Sequence, residues 1–397
     1  MSLAHGRPYL AIPGPSVMPD RVLRAMHRPA PNIYGGELPD MMPALVRDLA
    51  AVARTRHDVA IYIANGHGVW EAALANVLAP GDAVLVPATG HFGHGWAGVA
   101  RAMGADVTMI DFGRHATWDQ ARIAEVLAAD RGHAIKAVLA THTDTSSTIR
   151  NDIAALRATL DAAGHPALLV VDCIASLGCD PFEMDGWGVD VTLAASQKGM
   201  MTPPGLAFVF FNDRAAAARD TLDRVSPYWD WRPRAAPEAF YQYFGGTAPT
   251  HHLYGLREAL DMIAEEGIEA VWARHATLAR AVWAAADAWG QGGPMRLNAP
   301  RALRSHAVTA LGLGGDRADR LRRWCADEGG VTLGIGLGMA EPGTPDAGGF
   351  FRMGHMGHVN AHMILGALSV VQAGLSATGT PFGPGALDAA AAICARD

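Results

Sequence analysis

The sequence predicts an α/β protein, with a large domain on a mainly parallel seven-stranded sheet and a smaller C-terminal α+β domain. Three observations carry that prediction. The chain has 397 residues, about 2.6 times the roughly 150 of a typical domain, which favours two domains over one or three. Hydrophobic residues make up 50% and charged residues 18%, which supplies apolar material for two cores and excludes a disordered chain. From residue 60 to 211, short apolar runs alternate with longer helical patterns. The runs lack clean hydrophobic–polar alternation, as strands covered on both faces do.

The elements follow in order. Residues 59–65 (VAIYIAN) read as the first strand and 68–78 (GVWEAALANVL) as a helix, stopped by Pro80-Gly81. DAVLVPA (82–88) is a strand, and 94–103 a helix that Gly104 ends. DVTMIDF is the third strand, with a helix from Trp118 to Asp130 behind it. KAVLATH (136–142), a helix from Ile153 to Ala163 and PALLVVD (166–172) come next. VDVTLAA (189–195) and GLAFVFF (205–211) complete the sheet, and their short link allows an antiparallel member. Residues 221–250 read as a long structured loop. Helices follow from Leu253 to Glu266, ended by Gly267, and from Ile268 to Trp289. Beyond residue 300, SHAVTALGL, GVTLGIGL and GGFFRMGHMG read as strands. Helices occupy DRADRLRRWCADEG, the stretch from Asn360 and the alanine-rich tail. An amino-terminal arm is expected at 1–20, the large domain at 21–267 and the small domain at 268–397.

A net charge of -7 with no run of five like charges excludes a chain built to grip nucleic acid or an anionic membrane. A small anionic substrate needs only one or two local arginines. Apolar stretches are broken before the roughly 18 residues of a membrane span. MSLAHGRPYLAIPGP has no apolar core, so no signal peptide is expected. Cys173, Cys179, Cys325 and Cys394 lack metal-ligand spacing and read as free thiols in a reducing cytoplasm, with no metal site.

Chemistry belongs at the carboxyl ends of the parallel strands. Only two of the 32 cationic side chains are lysines, Lys136 and Lys198, so amine chemistry has two candidates. Lys136 opens a strand at the opposite edge. Lys198 follows a strand in an apolar setting, where burial would lower its pKa and make it a nucleophile for a Schiff base. Asp172 closes PALLVVD and could hold a protonated heterocyclic nitrogen. Asn65-Gly66-His67-Gly68 turns a strand into a helix whose first amides could hold a phosphate. The hydroxyl string Thr141 to Thr148 adds donors. Arg352, between apolar residues and glycines, could grip a carboxylate bidentately. Each also has an ordinary reading: a surface-reaching lysine, a capping carboxylate, a loop turn, an ion-paired arginine.

The ordered set PGP, NGHGVWEAAL, THTDTSSTI, VDCIASLG, SQKGMMTPPG, THHLYGLREAL and FRMGHMG resembles the class V aminotransferases of the fold-type I pyridoxal phosphate group. It is most similar to the alanine–glyoxylate, serine–glyoxylate and serine–pyruvate enzymes. The resemblance spans nearly the whole chain. It implies that Lys198 bonds covalently to pyridoxal 5'-phosphate and Asp172 to the ring nitrogen. It implies phosphate contacts at Asn65, Gly66, His67 and Gln197, a hydroxyl beside the ring at Ser146, and a ring-stacking Phe92 where relatives carry tryptophan. Thr247 would reach the neighbouring subunit's phosphate, making a homodimer. Arg352 would bind the substrate carboxylate, with Gly14 and Tyr34 nearby. Phe244 stands at a family tyrosine, and Asp144 in the loop's acidic place.

The function so implied is transfer of an amino group from serine or alanine to glyoxylate or pyruvate. FRMGHMG, with His355, resembles instead the version in pyridoxamine–pyruvate aminotransferases. Aspartate–glyoxylate, ureidoglycine–glyoxylate and aminoethylphosphonate–pyruvate transamination are further alternatives within the family. A desulfurase needs a mobile cysteine that neither Cys325 nor Cys394 is placed to supply. A non-catalytic binding protein would not need Lys198, Asp172 and Arg352 together.

Overall fold

A computed structural model describes residues 2–395. The strands are β1 (Tyr9–Ala11), β2 (Asp58–Tyr62), β3 (Ala83–Ala88), β4 (Asp106–Asp111), β5 (Ile135–Thr141), β6 (Leu168–Asp172), β7 (Val191–Ala195) and β8 (Ala207–Phe211), then β9 (Arg296–Leu297), β10 (Val308–Gly312), β11 (Val331–Ile335) and β12 (Phe350–Gly354). β2 to β8 form one seven-stranded sheet in the order β2-β8-β7-β6-β5-β3-β4. β3 to β7 are joined by parallel pairings, while β8 is antiparallel to both β7 and β2. The antiparallel strand has a plain cause. The link 196–206 holds no helix to carry the chain back across the sheet, so β8 must return alongside β7.

Both faces of this sheet are apolar because alternate residues of one strand enter different cores. Val138 and Ala140 of β5 join one cluster, whereas Ala137 and Leu139 join the other. Leu169 and Val171 of β6 divide in the same way from Leu168 and Val170. Every residue of β6, β7 and β8 is buried, which is why these strands read as continuous apolar runs.

Several element boundaries differ from the sequence reading. The first strand stops at Tyr62, and the next helix, Gly66–Val77, begins at Asn65, whose side-chain oxygen accepts from the N–H groups of His67 (3.1 Å) and Gly68 (3.3 Å). Helix His91–Ala102 begins three residues before the expected 94. Its cap is a carboxylate, Asp144, from a distant loop, and no local pattern announces it.

The second sheet has the order β1-β11-β12-β10-β9. Residues expected in a separate amino-terminal arm supply its edge, with β1 parallel to β11 and the remaining pairings antiparallel. Helices Ile268–Gly290, Arg317–Asp327, Ala361–Ala377 and Ala386–Cys394 accompany it. Val282, Trp289, Leu321, Phe351 and Leu368 form its core. Helix Ile268–Gly290 spans both bodies, since Val271 belongs to the large core and Leu278 to the small one. Residues 221–250 hold the short helix Arg232–Ala235 and the turn Phe240–Phe244. Phe244 is buried in the large core. Among the described residues no helix is long and apolar enough to cross a membrane, and no group of His, Cys, Asp or Glu is placed to hold a metal.

Candidate active site

β2, β5, β6 and β7 point the same way, so their carboxyl ends open on one side of the sheet. A cavity of about 160 Å³ lies there. Its lining brings together Asn65, Gly66, His67, Phe92, Asp172, Gln197 and Lys198, all expected from sequence. Trp70, Thr143, Thr145, Ile174 and Ala175 join them. Trp70 had a legible signal: it sits one helical turn after Gly66 and so faces the same way.

Lys198 lies in the loop between β7 and β8, and its buried amine donates to the Pro13 carbonyl. Burial lowers its pKa to about 8; the Arg352 charge presses the same way, while Asp172 and Cys179 oppose. Gly14 makes room for it. Its φ is +94°, and a Cβ there would fall 2.5 Å from Lys198 Nζ. Ser16 clasps the same segment, donating its N–H to the Gln197 carbonyl (2.9 Å) and its hydroxyl to the Lys198 carbonyl (2.8 Å). Lys136 is exposed and, among the described residues, its amine bonds only the His133 carbonyl.

Asp172 ends β6. Its Oδ1 accepts from Ile174 N–H (2.8 Å) and its Oδ2 from Trp70 Nε1–H (2.9 Å). Burial nevertheless pushes its pKa up to about 6 against those two bonds, with Asp144 adding to the rise and Lys198 opposing it. Trp70 is itself held by stacking on Trp96, with centroids 5.9 Å apart and planes 14° from parallel.

Phe92 is fixed through its backbone. Asp144 Oδ2 accepts from the N–H groups of Phe92 (2.8 Å) and Gly93 (3.1 Å), and Oδ1 from the backbone N–H (2.9 Å) and hydroxyl (2.5 Å) of Ser146. Ser146 Oγ in turn accepts from His91 N–H. The hydroxyl expected beside the ring is thus spent on capping a helix. Thr143 and Thr145, from the same string, line the cavity instead.

Arg352 projects from β12, donating Nε–H to the Ile335 carbonyl (2.7 Å) and Nη1–H to the Thr145 carbonyl (2.8 Å). Its Nη2 makes no bond among the described residues. Burial lowers its pKa to about 10, Asp144 opposing and Arg322 assisting. Arg352 does not itself line the cavity but bonds Thr145, which does; Tyr34, 93% exposed, and Thr247, also exposed, lie elsewhere. His355 is fully buried, its ring bonded to Thr309 Oγ1 and the His306 carbonyl, and burial lowers its pKa to about 4. It does not line the cavity either.

The cavity fits a ring that carries a cationic nitrogen and a phosphate. Asp172 is a buried carboxylate whose pKa a nearby cation would bring down. The Gln197 amide oxygen is buried and unpartnered, so its amide is free to turn to a ligand. Asn65 caps His67 and Gly68, leaving the Gly66 N–H at the helix start for an anion. A lysine amine at its lowered pKa completes the set.

The aminotransferase class-V family matches residues 9–344. Serine–glyoxylate aminotransferase from Methylorubrum extorquens is 37% identical, covering 99% of this chain and 97% of its own. L-aspartate–glyoxylate aminotransferase from Paracoccus denitrificans is also 37% identical, over 96% of this chain and 94% of its own. Among solved structures, pyridoxamine–pyruvate aminotransferase from Mesorhizobium loti superposes with a TM-score of 0.87 at 26% identity, over 98% of this chain and 97% of that one. The chain belongs to the class V aminotransferases, pyridoxal phosphate-dependent enzymes of fold-type I.

Proposed function

We propose that this protein moves the amino group of a small amino acid, serine or alanine, to glyoxylate or pyruvate, using pyridoxal 5'-phosphate in a homodimer. One observation carries the reading: a buried amine of lowered pKa, Lys198, shares one cavity with the buried carboxylate Asp172. The similarity to serine–glyoxylate aminotransferases supports the choice of substrates.

Bound pyridoxal phosphate would supply an electron sink for the substrate's Cα. The protein's own groups do the rest. Asp172 keeps a proton on the ring nitrogen, and Trp70 aims that carboxylate. Lys198, neutral above about pH 8, would take the proton from Cα and return it on the carbon across the amino nitrogen, two atoms away. Arg352 offers its free Nη2 edge to the α-carboxylate of donor and acceptor alike. Phe92, on the cavity wall, would cover one face of the ring and exclude water there. Thr247 is exposed, as suits a residue that serves a neighbouring copy.

Pyridoxamine–pyruvate transamination is the second reading, supported by the FRMGHMG motif and the structural likeness to such an enzyme, although His355 itself bonds Thr309 and His306 and does not line the cavity. A desulfurase is disfavoured: no cysteine lines the cavity, and Cys325 is buried. The decisive test is a half-reaction screen of the purified holoenzyme with serine, alanine, aspartate, ureidoglycine, aminoethylphosphonate and pyridoxamine, followed by glyoxylate and pyruvate. Bleaching of the visible absorbance by serine or alanine, restored by glyoxylate or pyruvate and lost in Lys198→Ala, is expected. Bleaching by pyridoxamine or aspartate alone would overturn the substrate assignment.

A further inference from the structure

Asp180 is a fully buried carboxylate that the chemistry above does not use. It ends the turn that follows Asp172, with its N–H bonded to the Ser176 carbonyl at 2.9 Å. Its two oxygens reach in three directions. Oδ2 accepts from the hydroxyl of Thr143 (3.3 Å), a residue on the cavity wall, and from the hydroxyl of Ser305 (2.6 Å). Oδ1 accepts from the His306 N–H (2.8 Å) and lies 3.6 Å from Arg150 Nη1. Burial opposes the charge, but His306, Arg150 and His142 together hold the carboxyl below its ordinary range.

Ser305 and His306 lead directly into β10, and β10 pairs with the strand that carries Arg352, with Ala310 opposite it. The path is short and continuous. The His306 carbonyl accepts from the His355 ring at 2.8 Å, and the Ala307 carbonyl accepts from the His355 N–H at 2.9 Å. On the other side, the Ser305 N–H donates to the Thr148 carbonyl, and Asn298 Nδ2 to the Ser147 carbonyl, at the end of the loop that holds Thr143 and Thr145. One carboxylate therefore touches both the loop lining the cofactor cavity and the entry to the sheet that presents Arg352.

We propose that Asp180 is a positioning residue that holds the cofactor-side loop and the Arg352-bearing sheet in register, through Thr143 on one side and Ser305 and His306 on the other. It touches neither cofactor nor substrate. This rests on the assignment of the cavity and of Arg352 made above. Removing its charge frees Ser305 and His306 from Thr143, so both sides of the site loosen together. Asp190 supplies a matched comparison. It is also a buried carboxylate, held by Arg214 Nη1 (2.9 Å) and Leu169 N–H (2.8 Å), but it stands at the opposite end of the sheet, before β7.

The test uses the full-length protein with Asp180→Asn, Ser305→Ala and Asp190→Asn. Two readouts are taken: the affinity of the cofactor-free form for pyridoxal phosphate, and the KM of whichever amino donor the wild type accepts. The first needs no donor, so failure of the serine or alanine reading appears in the wild type and is not confused with failure here. Asp180→Asn should weaken both by about tenfold, the worth of a hydrogen bond to a charged group. Ser305→Ala should move both in the same direction by a smaller factor, and it decides the matter if Asp180→Asn does not fold. Asp190→Asn should lower the melting temperature and leave both readouts within twofold of wild type (roughly the scatter expected of a remote site). Movement of only one readout, of neither, or of both to the extent seen in Asp190→Asn overturns the proposal.

Discussion

Trp70 donates its indole N–H to Asp172 Oδ2 at 2.9 Å, so a helix that starts at the cavity aims a carboxylate at the end of a strand. Trp70→Phe keeps the aromatic volume and removes that bond. Among the described residues Asp172 would retain only Ile174 N–H as a hydrogen-bond donor, and its pKa would rise above about 6. Pyridoxal phosphate affinity should fall about tenfold, measured by titrating the cofactor-free protein and following its visible absorbance. Unchanged affinity would show that the indole is not needed to aim the carboxylate.

The same carboxylate sets a pH dependence of stability. Its folded pKa of about 6 lies above the ordinary 3.8, so between those values the cofactor-free folded protein binds more protons there than the unfolded chain. This contribution therefore weakens the fold as pH rises through that window. Urea titrations of the wild type and Asp172→Asn across the same range check the sign, and the asparagine variant should lose that component of the slope.

Lys198 should react as a neutral amine with a midpoint near pH 8. Uptake of pyridoxal phosphate by the cofactor-free protein is expected to quicken as pH rises and to level off near that value. Arg352→Gln removes a positive charge that presses the amine's pKa down, and should move the midpoint upward. Stopped-flow absorbance against pH reads both. A wild-type midpoint at the ordinary lysine value of 10.5 would sink the idea that burial tunes this amine.

Gly14→Ala should displace the lysine. The position has a φ of +94°, and the added Cβ would meet Lys198 Nζ at 2.5 Å. The backbone strain alone costs about 1–2 kcal/mol, visible as a lower denaturation midpoint. Borohydride trapping of pyridoxal phosphate on Lys198, read by peptide mass, should fall sharply. Full trapping in a stable variant would mean that the turn yields at no cost.

Thr247→Ala and Lys198→Ala should complement each other if each site needs both subunits. Each variant alone is expected to be weak or inactive. Hybrids made by mixed refolding should regain activity, because the Lys198→Ala subunit still lends its Thr247 to an intact lysine. No recovery in hybrids verified by mass would place Thr247 outside the partner's site.

The sheet was legible in sequence because its strands are buried on both faces, so β5 and β6 read as unbroken apolar runs between helical patterns. Lys198 and Asp172 were legible for a related reason: a charge that ends such a run needs employment. Contacts between residues far apart in sequence were not. The Asp144 cap on His91–Ala102 crosses 52 residues to Phe92, and no local pattern records it. The hydroxyls of residues 141–148 look alike in sequence, and the resemblance alone singles out Ser146; only the turn of the loop sends Thr143 and Thr145 to the cavity and Ser146 to Asp144. Tyr9–Ala11 joined a sheet whose partner strand lies over 300 residues later. Strand character and burial follow from the order of side chains along the chain. Which side chains meet at the site follows from loop-closing contacts that only the folded chain makes.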